Sequence, residues 1–185
     1  MNIVKAFIPA LLVLSLLGCA SGAKMENMVY AEPEEVRGAY DPALTDAVTV
    51  TDVSGGKETN PMWTSQISDE EFSGAVRDSL IAQNLYTEDG RFRLQVILLE
   101  LVQPVFGFSF TVTTQVRYLL EDSMRENIVL DETIVGEHTA TVSDAFAGIK
   151  RLRLANEGSV RNNIAGFFEK LAELRIGPGS VSIGE

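Results

Sequence analysis

The fold is decided by residues 106–118 in the middle of the chain, which read FGFSFTVTTQVRY. Large apolar side chains occupy alternate positions, with Thr114 the one exception, and small or polar side chains lie between them. A period of two is the repeat of a β-strand, whose successive side chains point to opposite faces of a sheet. The stretch therefore predicts a long strand with one face on the core and the other in water. On this interpretation Phe106, Phe108 and Phe110 belong to the core.

Further strands are predicted on both sides of this stretch. Residues 91–102 alternate as well, but their polar face becomes apolar from Ile97 onward, so we expect that end of the strand to be covered on both faces. Residues 128–142 form another alternating segment, and the polar turn before it is too short for a parallel crossover, which predicts an antiparallel hairpin. The β-branched residues 47–53 predict a strand near the start of the domain.

Two helices are predicted from capping signals and apolar spacing. Ser68 and Glu71 form a capping box, in which Ser68 caps the helix and Glu71 reaches back, so a helix should run from about 69 to 83. The second should begin at a cap formed by residues 143–144 and continue to about Leu174, with a break or kink at Gly158.

These elements predict an α+β fold with the order β-α-β-β-β-α. We expect a two-layer sandwich, in which a mostly antiparallel sheet of about four strands carries two helices on one face. The expected divisions of the chain are a signal peptide at 1–18, a lipidated N-terminus and flexible tether at 19–45, the α+β domain at 46–175 and a loose tail at 176–185. The tether is predicted from its lack of periodicity and its glycines and prolines.

The N-terminus resembles a bacterial lipoprotein signal. A charged start precedes about a dozen apolar residues, which are too few to cross a bilayer. Leu16, Leu17, Gly18 and Cys19 then match the lipobox. The resemblance implies cleavage after Gly18 and acylation at Cys19, and more than one acyl chain would hold the protein stably in a membrane.

The residues after Cys19 predict where that membrane is. Lipoproteins with Asp at this position tend to stay in the inner membrane of Gram-negative bacteria, whereas this chain continues with Ala20 and Ser21. By this rule, and for a Gram-negative host, we expect an outer-membrane protein that faces the periplasm.

Composition excludes several classes of function. The chain has 15 basic and 26 acidic residues, and its net charge of −11 opposes binding to nucleic acid or to anionic lipid headgroups, both of which depend on Lys and Arg. Cys19 is the only cysteine, so no intrachain disulfide can form. His138 is the only histidine, so neither a zinc site of the usual His and Cys ligands nor a serine triad is assembled by any motif. We therefore expect no enzyme, no metal and no cofactor.

Four residues are candidates for a binding surface: Trp63, Arg151, Arg153 and Glu157. Each has a structural alternative. The single tryptophan could fill the core, and the basic cluster around Arg151 could be a solvated face that is paired to nearby acids, since Arg153 and Glu157 are four residues apart.

Three stretches resemble a group of small α+β lipoproteins of the bacterial envelope whose function is uncharacterised. They are NPMWTS at 60–65, QPVFG at 103–107 and RLRLANEG at 151–158. The resemblance implies a membrane-anchored, non-catalytic module that binds or assembles with a protein, glycan or lipid partner through the polar sheet face or an open edge. Two alternatives stay open: an auxiliary lipid- or lipopolysaccharide-handling lipoprotein, with the aromatic residues lining a lipid cavity, and an enzyme that uses His138 and scattered acids.

Overall fold

The computed structural model describes residues 21–31, 40–60, 64–177 and 181–183, the last of these by backbone only. The predicted signal, the lipobox residues Leu16, Leu17, Gly18 and Cys19, and Trp63 all lie outside the described residues. In chain order the helices and strands are α1 (Met25–Met28), β1 (Val48–Ser54), α2 (Asp69–Ala82), β2 (Phe92–Val102), β3 (Ser109–Asp122), β4 (Asn127–Thr141), α3 (Gly148–Glu173), β5 (Leu174–Ile176) and β6 (Val181–Ile183), with a short 3-10 helix at Pro42–Leu44.

The predicted fold class is confirmed. The strands follow the order β1-β2-β3-β4, with β1 parallel to β2 and the other neighbours antiparallel. Helix α2 packs on β1, and α3 packs on β3 and β4. Both long helices cover the same face of the sheet, which makes a two-layer α+β sandwich.

The core lies between the sheet and these helices. It includes Tyr118 of β3, whose ring stacks on Phe167 of α3 at 4.3 Å between centroids. The Tyr118 hydroxyl donates to Oδ1 of Asn163 at 2.9 Å, so its polar end has a partner although the side chain is fully buried. Asn163 in turn donates to the Thr114 and Ile134 carbonyls, which joins α3 to the two strands beneath it.

A β-bulge changes the expected faces of β2. Leu98 pairs with Val116, and Glu100 pairs with the next residue, Gln115, so Leu99 is an extra residue without a cross-strand partner. The alternation inverts at this point, which exposes Leu99 and returns Leu101 to the core side. The expectation that this end of β2 is covered on both faces was wrong.

The aromatic residues before β3 are also placed differently. The strand begins at Ser109, and Phe110 is buried as predicted. Phe106 and Phe108, which we expected in the core, are 87% and 83% exposed. They belong to a loop that leaves the sheet beyond the last β2–β3 pair, and no helix of the described residues covers them there.

The helix ends differ in detail from their predictions. Ser68 Oγ accepts a hydrogen bond from the Glu71 amide at 3.3 Å, but the Glu71 carboxylate binds the Met25 amide at 2.6 Å instead of reaching back. Helix α3 begins at Gly148 and not at residue 143, because Asp144 caps a separate turn through the Thr141 amide. The helix continues unbroken through residue 158, so the predicted kink is absent from this described segment.

The predicted tether is packed on the domain in both of its described parts. Ala23 and Met28 in the N-terminal segment, which we define as residues 21–31, are buried, and so is Leu44. The predicted tail is also more ordered than expected, because β6 pairs with β5 in an antiparallel hairpin. The described residues of both segments therefore pack on or pair with the rest of the chain, while residues 32–39, 178–180 and 184–185 lie outside the described part.

Candidate functional site

The face of the sheet away from the helices is polar, and no described helix covers it. We call it the polar face; it is formed by alternate residues of β2, β3 and β4. Thr111 and Thr139 hydrogen-bond across two strands at 2.8 Å, and Arg117 binds Asp131 through two nitrogens at 2.7 and 2.6 Å. These pairs stay accessible to water, which is how an antiparallel sheet presents one face for recognition.

A groove of about 720 Å³ opens at one end of the polar face, and we call it the distal groove. It lies where β1 and β2 begin and β3 ends. Its lining includes Thr49, Thr51, Arg93, Gln95 and Glu121. Arg93 lies opposite Glu121 in the strand register and is exposed, and it makes no ion pair with any side chain in the described ranges.

One wall of the distal groove is held by an ion pair. Arg91 binds Asp122 through Nε at 2.8 Å and through Nη2, and the Met124 amide donates to the same carboxylate at 3.1 Å. The Asp122 side chain is fully buried. The hydrogen bonds from Arg91 hold the pKa of Asp122 below its ordinary value, with a further contribution from the Met124 amide. The Asp122 carboxylate therefore stays ionised near neutral pH and keeps Arg91 in place at this wall of the groove.

The opposite end of the molecule carries exposed apolar side chains on two loops. They are Val105, Phe106 and Phe108 in the β2–β3 loop and Phe146 in the β4–α3 loop, and we call them the aromatic end. Arg151 joins the two loops: its guanidinium donates to the Gly107 carbonyl at 3.0 Å and to the Ala145 and Phe146 carbonyls at 2.9 and 3.2 Å.

The predicted binding residues have structural partners instead of an exposed surface. Arg151 is buried and also covers the Phe110 ring at 4.7 Å. Glu157 is buried, pairs with Arg153 at 3.4 Å, and accepts hydrogen bonds from the N-terminal segment. Arg153 donates to Ser21 Oγ at 2.6 Å. The structure thus brings these three residues together at the start of α3, where they bind the chain itself.

His138 faces the helices rather than the polar face. It lies opposite Val112 in the strand register, and a Cβ added to Gly158 would lie 2.2 Å from its ring. Among the residues that the structure describes, no three or more His, Cys, Asp or Glu side chains form a cluster suited to a metal ion. No described helix is long and apolar enough to cross a membrane.

Sequence reasoning missed the distal groove and the aromatic end. The groove depends on which strand ends meet, and strand order is not written in any single segment. The sequence did hold a signal for the aromatic end, because Pro104 and Gly107 are poor strand residues.

Comparison with known proteins gives similarity of fold. No protein-family profile and no curated protein matches the chain. Solved structures with this fold include a proposed lipoprotein from Caulobacter crescentus CB15, with 12% identity over 70% of this chain and 90% of that one and a TM-score of 0.50. Another is a Xanthomonas campestris protein of the DUF330 family, with 10% identity over 80% and 91% of the two chains and a TM-score of 0.55. The predicted resemblance to small α+β lipoproteins is confirmed in the fold.

Proposed function

We propose that this protein is a lipid-anchored, non-catalytic module of the bacterial envelope that binds a polar partner through the distal groove and the adjoining polar face. The observation that carries the proposal is the arrangement of the two ends. Ser21, two residues after the proposed anchor at Cys19, lies near the start of α3, whereas the groove opens at the other end of the sheet. Strand β2 has 11 residues, which corresponds to roughly 35 Å between the two ends.

The chemistry of the groove supports recognition of a hydrogen-bonding partner. Threonine hydroxyls, the Gln95 amide and the Arg93 guanidinium line it. An exposed arginine that makes no ion pair with a described residue can bind a carboxylate or phosphate of a partner through two parallel hydrogen bonds, although Glu121 lies opposite it and Glu88 and Asp89 also line the groove. A groove of this volume that opens widely to water suits a protein segment or a glycan better than a small enclosed substrate.

The outer edge of β4 supports binding by strand addition less well. Side chains of α3 donate to its carbonyls: Asn163 to Ile134 at 2.8 Å, Ser159 to Gly136 at 3.0 Å and Asn162 to Glu137 at 2.8 Å. Carbonyls of successive strand residues point to opposite sides, so Ile134 and Gly136 are directed to one side of β4 and Glu137 to the other. At least one of these bonds therefore occupies a carbonyl at the outer edge, for which an added strand would have to compete.

The packing of His138 supports a binding role over the enzymatic alternative. Its ring lies against Gly158 beneath α3, on the opposite face of the sheet from the groove. The lipid-cavity alternative loses its proposed lining, because Phe106 and Phe108 are in the exposed loop and the space between the layers is filled by side chains such as Tyr118.

Site-specific photo-crosslinking in intact cells tests the binding surface. A photoreactive residue at Thr133, on the polar face opposite Arg117, should give a defined adduct, and Arg93→Glu in the same chain should reduce its yield. A photoreactive residue at Asn162, which is exposed on α3, is the matched control. Equal adducts at both positions, or no effect of Arg93→Glu, would contradict the proposed surface.

His138→Ala should leave both the adduct and the envelope phenotype unchanged, and a lost phenotype with normal protein levels would favour the enzyme.

Fractionation tests the anchor separately. The wild-type chain should appear in the outer-membrane fraction with an acyl group at Cys19 by mass spectrometry. Cys19→Ala should remain an uncleaved or soluble precursor. Recovery of that variant in the outer membrane would refute the lipid anchor.

A further inference from the structure

The aromatic end exposes more apolar surface than the fold requires. Val105 is 92% and Phe146 is 94% exposed, and Phe106 and Phe108 are nearly as accessible. Single exposed apolar side chains are ordinary on soluble proteins, whereas several together usually mark a contact with another protein or with a membrane. These four side chains come from two loops at the same end of the molecule.

The loops are held in this exposed arrangement. Arg151 bonds to carbonyls in both loops, and its side chain is itself buried. Between Phe106 and Phe108, Gly107 has a φ of +146°, a conformation that residues with a Cβ rarely adopt. The aromatic rings are therefore presented outward by a braced backbone.

The position of the N-terminal segment indicates what the aromatic end meets. Ser21 is bound to Arg153, two residues after the arginine that braces the loops. Ala23 bonds to the Gln66 carbonyl at 2.9 Å, and the Gln66 side chain bonds to Gln103, two residues before Val105. Since two residues span at most about 7 Å, a lipid on Cys19 would be tethered within that reach of Ser21, which lies at the same end of the domain.

One local charge fits the same neighbour. The chain as a whole is acidic and Asp144 is exposed in the β4–α3 loop, but Lys150 is exposed beside the loops, whereas Arg153 is paired with Glu157. Phenylalanine at the level of the headgroups with a lysine near it is a usual composition of a surface that lies in the interface of a bilayer.

We propose that the aromatic end inserts into the surface of the lipid bilayer beside the acyl chains on Cys19, so that the domain stands on the membrane in a fixed orientation. The inference takes the position of the anchor from the proposed function. The partner of the aromatic end is phospholipid, with Phe106, Phe108 and Phe146 in the interface and Lys150 near the phosphates. The distal groove then points away from the membrane into the aqueous space.

Vesicle binding by the chain from residue 20 to 185 tests this proposal without the acyl group. That chain keeps all of the described core, which lies in residues 21–177. It should co-sediment with vesicles of phosphatidylethanolamine and phosphatidylglycerol at millimolar lipid. The combined variant Phe106→Ser, Phe108→Ser and Phe146→Ser should bind roughly tenfold or more weakly.

The matched control removes exposed apolar side chains from the opposite end, with Met124→Ser and Ile128→Ser, and should bind as the unchanged chain does. Absence of vesicle binding by the unchanged chain, or equal binding by the triple variant, would overturn the proposal. Failure to find an acyl group on Cys19 in cells would instead refute the proposed anchor and leave the vesicle result standing.

Depth measurements distinguish lipid from a protein occupant. The chain from residue 20 contains no cysteine, so Phe106→Cys creates a unique site for a fluorophore. Nitroxide groups attached to lipid should quench that fluorophore, and they should not quench one at Met124→Cys. Protection of the Phe106 site from water in the absence of vesicles would mean that a second copy of the chain covers it, and would overturn the membrane proposal.

Discussion

Gly158 lies in the middle of a 26-residue helix, where a glycine is unfavourable by about 1 kcal/mol relative to alanine. A glycine is needed at this position because the side chain of His138 lies directly beneath it. The nearest atoms to an added Cβ all belong to the His138 ring. The glycine thus lets α3 approach β4 closely, and the only histidine of the chain serves as the packing partner.

Gly158→Ala should lower the free energy of unfolding by about 1–3 kcal/mol, because the methyl group would overlap the His138 ring. Combining it with His138→Ala should recover part of that loss, since the ring that causes the overlap is gone. Gly148→Ala is the control, because its nearest neighbours lie at 3.9 Å. Urea denaturation measures Gly158→Ala, His138→Ala, their combination and Gly148→Ala. Additive effects of Gly158→Ala and His138→Ala in the double variant would contradict this explanation.

Asp122 predicts how stability depends on acid. Its pKa is lower in the folded chain than in the unfolded chain, so the carboxylate stabilises the fold above its unfolded pKa of about 3.9 and loses this effect as pH falls below that value. Asp122→Asn should reduce stability by about 1–3 kcal/mol at pH 7 and flatten its change between about pH 4 and 2. Asp131→Asn, at an exposed ion pair, should change little. An unchanged acid profile for Asp122→Asn would refute the assignment.

At the level of elements, the strands and helices of the domain could be predicted because each keeps its regular spacing of apolar residues over a long stretch of sequence. The loops could not, since Phe106 and Phe108 continue the period of β3 past the point where the sheet has a covering layer. Alternation in the sequence shows which side chains share a face of the strand, but it does not show where the helices that cover this face end. The contacts of Arg151 and Glu157 could not be predicted for a related reason: both look like surface charges in sequence, and only the fold shows that a loop and the N-terminal segment cover them.

The N-terminal segment depends on Glu157, which accepts hydrogen bonds from the Lys24 amide and the Asn27 side chain, each at 3.1 Å. Glu157→Ala should lower the free energy of unfolding by about 2–4 kcal/mol, because Arg153 and the Lys24 amide lose their partner. Trypsin should then cut after Lys24 faster than in the unchanged chain. Glu169→Ala, at an exposed position of the same helix, should alter neither property. Slow cleavage after Lys24 in Glu157→Ala would show that the segment is held by other contacts.

For the whole molecule, the domain begins earlier than the sequence indicated. Met28 and Leu44 are fully buried in the main core, and Tyr30 and Tyr40 pack against Phe168. Residues 21–31 and 40–45 lack periodicity because the only regular structure described in them is α1 and a short 3-10 helix, and one turn of helix is too short to leave a repeating pattern in sequence.

A chain that starts at residue 46, the predicted domain boundary, should therefore be less stable than one that starts at residue 20. Exposing the sites of Met28 and Leu44 alone removes about 3–6 kcal/mol of apolar burial. Thermal unfolding and binding of a hydrophobic dye would measure the difference. Equal melting temperatures for the two chains would mean that the domain begins at residue 46, as the sequence predicted.

If Cys19 carries the proposed anchor, the bond between Ser21 and Arg153 bears on the order of events in biogenesis. An enzyme that acylates or cleaves at Cys19 would act only two residues from Ser21, whose hydroxyl accepts a hydrogen bond from Arg153 at the surface of the domain. We therefore expect processing to precede the packing of the N-terminal segment on α3, and a variant in which that segment packs early to be processed more slowly.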